Sequence, residues 1–287
     1  MLKNLLGFLF YYKFLNPILR VIILNSSFVP ELNKIKRGTQ IVVSLSSDED
    51  NFDNLEYTLY SLFNQKVSPD KVVLWLSNEY ELSELPYSIT KYVKGGLDIR
   101  FVEYKGSYTK IIYSLKEFKD SIIVTADDNI YYPKNWLLKL YHSYISHPED
   151  IHAHNVLRVL YENKELGSYK KWKKFVNTDK ADFLNFPIPS GGVLYPPNCF
   201  VNDIGREDIY RNKVNTIWEV WSWVMSVVSG RKVRLVKNHI NRFAFSGFFC
   251  GLEKYRVVLN QCEQKDEQLQ QLFGYYGKNL AGRFNQK

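Results

Sequence analysis

At 287 residues the chain can bury a sizeable core and fits one elaborated domain or two small ones. Its 45% hydrophobic and 24% charged residues are ordinary for a globular protein, while the 16% aromatic content suits a core, a membrane interface or stacking on flat ligands equally. The net charge of +8 favours anionic partners, and three cysteines without a CxxC spacing exclude complete pairing and fit a reduced, cytosolic setting.

In chain order, the opening segment MLKNLLGFLFYYKFLNPILRVIILNSSF is cut by Lys13, Pro17 and Arg20. Its apolar runs are about ten residues or fewer, short of the ~20 that span a bilayer, and no small-residue cleavage site follows, which argues against a spanning helix and a secretory signal. Residues 1–37 read as a helix that lies in a membrane interface or packs on the domain's own back face. From Gly38 the pattern alternates: a buried strand at Gln40 to Ser47, an amphipathic helix in FDNLEYTLYSLFNQ, and a strand at Asp70 to Ser77. A strand at Leu97 to Tyr104, a helix in YTKIIYSLKEF, a strand in SIIVTADD and a helix opened by Pro133 continue it. Strands alternating with helices imply right-handed crossovers and a mostly parallel sheet covered on both faces. Residues 38–250 read as this domain and 251–287 as a tail, an amphipathic helix followed by a Gly-broken aromatic end.

Ligands of such sheets bind outside the carboxyl ends of the strands. That rule puts Ser46 to Asp50, Ser77 to Glu79 and Asp127 to Asn129 along one rim. Burying Ser121 to Val124 carries Asp127 and Asp128 to this edge, where adjacent carboxylates repel unless a cation or a proton is shared. Oxygen-rich sites of this kind suit Mg or Mn, which bridge to substrate phosphates. An Asp-rich turn that merely caps a helix explains the same letters.

The wider wording narrows the choice. IVVSLSS, LEYTLYSLFNQKVSPDKVVLWLS, TADDNIYYPKNWL and GGVLYPPN, in that order between about Gly38 and Val236, resemble bacterial nucleotide-sugar glycosyltransferases of the GT-A fold, in the family 2 style. The resemblance implies an α/β fold with a Rossmann-like, mostly parallel sheet flanked by helices, here with helical N- and C-terminal additions. It implies donor contacts from Ser46, Asp48, Lys110, Asp127, Asp128 and Asn129, and a Mn or Mg ion on the sugar diphosphate held by Asp127 and Asn129, with His239 as a third ligand. Gly191, Gly192, Asn215 and Trp218 would line the acceptor side.

The chain departs from that pattern. Asn129 stands in the place of a second metal-binding aspartate and can offer only a neutral oxygen. Asn51 stands where an arginine is expected, and Asn215 and Thr216 replace an Asp-Asp pair ahead of IW; neither can act as a general base at neutral pH. Glu219, one helical turn beyond Asn215, is the nearest substitute, with Asp128 as a further candidate catalytic carboxylate; complementing the helix dipole is the plainer role for Glu219. His152 and His154 point to one face, toward the acceptor cleft or into the core. YKKWKKF, Tyr169 to Phe175, is a clamp for a diphosphate, a contact to an anionic lipid, or a solvated charge run.

The reading that results is an inverting transferase that moves a sugar from a nucleotide-sugar donor to a glycan or lipid-linked acceptor in surface polysaccharide or lipopolysaccharide synthesis. It would be cytoplasmic, with the inner membrane surface as a further partner. No nucleic-acid module accompanies the basic patches, so nucleic acid is not expected as a partner. A degenerate homologue that binds a nucleotide sugar, a glycan or a partner enzyme without turnover is the alternative. A nucleotidyltransferase is disfavoured because SLSSDEDNF is acidic and lacks a glycine-rich phosphate loop.

Overall fold

In the computed structural model, which describes residues 21–23, 29–173, 180–212, 218–240, 244–245 and 253–284, the apolar runs become strands. They are Ile41–Ser46 (β1), Lys71–Ser77 (β2), Leu97–Val102 (β3), Ile122–Thr125 (β4), Ile151–Ala153 (β5), Val193–Tyr195 (β6) and Val233–Leu235 (β7). Val, Ile and Leu fill most of β1, β2 and β4, whose interiors are shielded on both faces, the environment of central parallel strands. The seven make one sheet in the order β7-β5-β6-β4-β1-β2-β3. Neighbours β1, β2, β3 and β4 pair in parallel, β7 pairs parallel with β5, and only β6 runs antiparallel to the strands on either side of it.

Two cores lie on opposite faces. On one, Phe52–Phe63 (α1) buries Leu55, Leu59 and Leu62 beside Trp136–Ser146 (α3), which contributes Trp136, Leu137 and Leu140. The other holds Thr109–Glu117 (α2), Trp218–Val228 (α4) and Glu253–Phe284 (α5). Nearly all of α4 is buried, and its indoles are satisfied: Trp221 Nε1 donates to the Ile204 carbonyl at 3.0 Å and Trp223 Nε1 to that of Phe183 at 3.0 Å. Val29 and Leu32, from the segment ahead of the sheet, pack into the α1 core, and Arg37 pairs with Asp70 at 2.9 Å. No helix among the described residues is long and apolar enough to cross a membrane.

Several boundaries differ from expectation. Pro133 does not open α3; its carbonyl accepts the Trp136 N–H at 2.8 Å in a turn, and the helix begins at Trp136. The third strand ends at Val102, and the run IHAHNVLRVLY breaks after Ala153, its second half Val156–Arg158 leaving the sheet to pair with Asn185–Pro187. The tail is not broken at its glycines: α5 runs through Gly274 and Gly277. Glycine costs about 1 kcal/mol in a helix interior, and burial of Leu269, Leu272, Tyr276 and Leu280 on the same helix outweighs it. Lys13, Pro17, Arg20, Asn215, Thr216, Phe175 and Cys250 lie outside the described residues.

Candidate functional site

The strand order places the site. From β1 the chain moves outward through β2 and β3, then returns to lay β4 on the other side of β1. The crossovers on the two sides diverge there and leave a crevice beyond the carboxyl ends of β1 and β4. Ser46, Ser47 and Asp48 leave β1 on one side of the crevice and Asp127, Asp128 and Asn129 leave β4 on the other. Ser47 Oγ donates to Asp128 Oδ2 at 2.7 Å, so the two loops close on each other across it.

Lys110, in the first turn of α2, supplies the cation. Its ammonium pairs with Asp127 Oδ1 and donates to the Ala126 carbonyl at 3.1 Å, with the side chain almost wholly enclosed. Buried serines fix its backbone. Ser44 on β1 donates to the Lys110 carbonyl and receives hydrogen bonds from Ser114 Oγ at 2.8 Å and Trp75 Nε1 at 2.9 Å. β1, β2 and α2 are thereby locked where the lysine emerges.

The aspartate turn is held from α1. Thr58 Oγ1 donates to the carbonyls of Asp128 and Ile130 at 2.7 and 2.9 Å. Ser61 Oγ accepts the Tyr132 N–H at 3.0 Å, and Gln65 Oε1 accepts the Leu137 N–H at 3.1 Å. The Tyr132 hydroxyl in turn accepts the Asp127 N–H at 2.8 Å. Thr58 and Ser61 lie on the buried face of α1, and Gln65, two residues past its end, continues the same spacing, a polar stripe inside an apolar face. That stripe is visible in LEYTLYSLFNQ; Ser47 falls within the Ser46 to Asp50 rim, whereas Tyr132 carries no signal in the sequence.

The electrostatics divide the two aspartates. Burial pushes the Asp128 carboxyl up to about 6, against the Ser47 hydrogen bond and the Lys110 charge, with Asp127 and Asp48 adding to the rise. Tyr104, partly exposed at the end of β3, is pushed up to about 12 by burial and by Asp48 and Asp128. Asp48 accepts from Asn51 Nδ2 at 2.9 Å, so the asparagine found in place of an arginine fixes the β1 loop internally.

The other candidates fall into two groups. Glu219, in the first turn of α4, pairs with Lys265 of α5 at 2.8 Å. It also acts on Tyr108, two residues ahead of Lys110, whose hydroxyl burial and the Glu219 charge hold well above the ordinary tyrosine range. Trp218 is buried edge-on to the Tyr108 ring, centroids 5.3 Å apart. Gly191 and Gly192 are buried too: Trp136 Nε1 donates to the Gly191 carbonyl at 2.8 Å, and a Cβ on Gly192, at φ 81°, would stand 2.5 Å from the Trp136 ring. Their smallness serves that indole. His152 and His154 point into the core as neutral rings, both pushed down to about 3 by burial. His239 lies near enough to act on His154, on the α3 side of the sheet. Trp172 of the basic run is core, packed on Phe186 and Trp223, and Tyr169 packs beside it.

A metal at the rim would have the Asp127 carboxylate and the Asn129 amide oxygen, both part-exposed, as protein donors. Mg and Mn accept one or two protein oxygens when phosphate oxygens and water complete the shell, so the donor set fits, with Lys110 sharing Asp127. Among the described residues the one group of three converging ligands is His147, Glu149 and Asp150, with ligand atoms within 4.8 Å of one another. It precedes β5, at the end of the sheet away from the crevice, and its Asp150 pairs with Arg234 at 2.8 Å.

No family model matches the chain, and no curated protein matches it. Its structural neighbours are GT-A fold glycosyltransferases. A mannosyltransferase from Pyrobaculum calidifontis in complex with GDP-Man and Mn2+ is 12% identical at a TM-score of 0.45, over 82% of this chain and 66% of that one. TarS 1–349 of S. aureus is 12% identical at 0.46, over 84% and 72%, and GalNAc-T7 with UDP, GalNAc and Mn2+ is 10% identical at 0.46, over 71% and 46%.

Proposed function

We propose that the protein is a GT-A-type glycosyltransferase that binds the diphosphate of a nucleotide-sugar donor in the crevice between β1 and β4. The observation that carries this is the convergence of the Lys110 ammonium, the Asp127 and Asp128 carboxylates and Ser47 where the crossovers diverge. Lys110 meets the diphosphate, Asp48 and Tyr104 border the nucleoside, and Asp127 with Asn129 would hold a Mn or Mg ion. Such an ion, when bound, supplies positive charge to the departing diphosphate.

On the acceptor side Glu219 accepts the proton of the acceptor hydroxyl. That oxygen forms a bond to the anomeric carbon as the carbon's bond to the diphosphate breaks, and in-line attack inverts the anomeric configuration. Lys110 stabilises the charge released on the nucleoside diphosphate. Asp128, close to half-protonated near pH 6, faces Ser47 and serves the donor side. The acceptor is a glycan or a lipid-linked sugar of surface polysaccharide or lipopolysaccharide synthesis, and the enzyme works in the cytoplasm or at the inner membrane face.

The test is release of nucleoside diphosphate from a panel of UDP- and GDP-sugars with Mn or Mg and candidate acceptors. Turnover that Asp127→Ala abolishes supports the proposal. A second reading, a binding protein without turnover, has its own observation: two of the three candidate carboxylates, Asp127 and Glu219, are already paired with lysines. Donor binding without product across the whole panel would favour it.

A further inference from the structure

Glu219 is tied to a part of the chain that the sheet does not supply. Its Oε1 lies 2.8 Å from Lys265 Nζ, on α5, with side-chain exposures of 22% and 10%. The lysine is gripped from a second side, its ammonium lying 4.8 Å from the centre of the Tyr169 ring. Burial works against the Lys265 charge, yet Glu219 and Tyr169 outweigh it and leave the ammonium above its ordinary value. The next residue, Asp266, accepts hydrogen bonds from Ser168 Oγ and the Tyr169 N–H, both at 2.6 Å, so consecutive residues of α5 hold the turn that holds the lysine. Ser222 Oγ donates to the Glu219 carbonyl at 3.2 Å.

We propose that Lys265 is the positioning residue of the Glu219 carboxylate, so that α5 completes the acceptor side of the site; this rests on the reading of Glu219 as the base. Lys265 holds the carboxylate at 2.8 Å. With one oxygen fixed, the other is presented for a proton, and the rotamer freedom of a three-bond side chain is removed before the acceptor arrives. A surface ion pair of the same length would contribute little, and the enclosure of this lysine under Tyr169 sets it apart.

The test uses the full chain with the UDP- and GDP-sugar panel, reading kcat, acceptor KM, donor Kd by calorimetry and thermal stability. Lys265→Met should lower kcat about 10- to 100-fold, the scale of a misplaced reacting group, with donor Kd unchanged within about twofold. Lys265→Arg should recover most of the rate, and Lys265→Met added to Glu219→Gln should cost nothing further, since the two act as a unit. If Lys265→Met unfolds at the assay temperature, Lys265→Gln replaces it with the same expectation. A Lys265→Met enzyme of unchanged kcat beside an inactive Glu219→Gln overturns the proposal and leaves the base assignment standing. A fully active Glu219→Gln overturns the base assignment first and the proposal with it. Absence of turnover by the unaltered chain on every donor overturns both.

Discussion

Two neighbouring aspartates with opposite environments set the character of the site. Asp127 faces a lysine, whereas Asp128 is enclosed and meets a neutral hydroxyl, with its carboxyl pushed up to about 6. Because the folded value exceeds the ordinary 3.8, the native state holds a proton here that the unfolded chain releases. The stabilising contribution is complete below pH ~4 and is lost as pH rises through about 6. Asp128→Asn, which keeps an acceptor for Ser47, should therefore stabilise the protein at pH 7.5 by on the order of 1–3 kcal/mol, with the gain gone at pH 4. Urea denaturation at both pH values checks this, and a less stable variant at pH 7.5 would show that the charged hydrogen bond outweighs burial. Gly192→Ala is a second residue-scale prediction. A left-handed φ and the Trp136 ring 2.5 Å from the new Cβ should cost about 2 kcal/mol or more, read as a lowered Tm.

At the scale of elements, α1 does more than cover the sheet. Thr58, Ser61 and Gln65 hold the loop that carries the aspartates, and two residues before Thr58 Glu56 meets Lys91 in an ion pair whose side chains are each 4% exposed. Breaking such a pair strands a charge, so Glu56→Gln should destabilise by about 3–5 kcal/mol, and Glu56→Leu with Lys91→Met should recover much of that loss. Equilibrium unfolding of the single and double variants decides it. The strands were legible because Val and Ile runs of strand length alternate with amphipathic helices, and the rim position of Asp127 followed from that alternation. The pairing of Lys110 with Asp127 has no local signal in the sequence, because one residue lies in the first turn of α2 and the other in the loop that follows β4. Two element ends were misread for physical reasons. A proline carbonyl that caps a turn looks, in sequence, like a proline that starts a helix, and a helix with a buried stripe tolerates glycines that propensity alone would treat as breaks.

Across the whole molecule, the tail belongs to the core. Leu269, Leu272, Tyr276 and Leu280 of α5 share one hydrophobic cluster with α4 and β6. Leu272→Ala should therefore cost about 2–5 kcal/mol, as for a residue at the centre of a domain, measured by denaturant midpoint. The sequence could show that the tail was amphipathic but not what it covered, since its partners are far away in the chain. The same holds for Glu219 and Lys265, whose pairing no local pattern announces. The order β4-β1-β2 was likewise invisible as a strand order, yet it fixes the crevice on which the functional reading depends.

The most direct test of that reading is calorimetric titration of the full chain with UDP and GDP, with and without Mn. The account predicts that one of them binds, that Mn tightens it, and that Lys110→Ala weakens it at least about tenfold, the ammonium being the diphosphate's contact. Failure of both nucleotides to bind, or equal affinity in the Lys110→Ala variant, would contradict the assignment of the crevice between β1 and β4 as a nucleotide-sugar site.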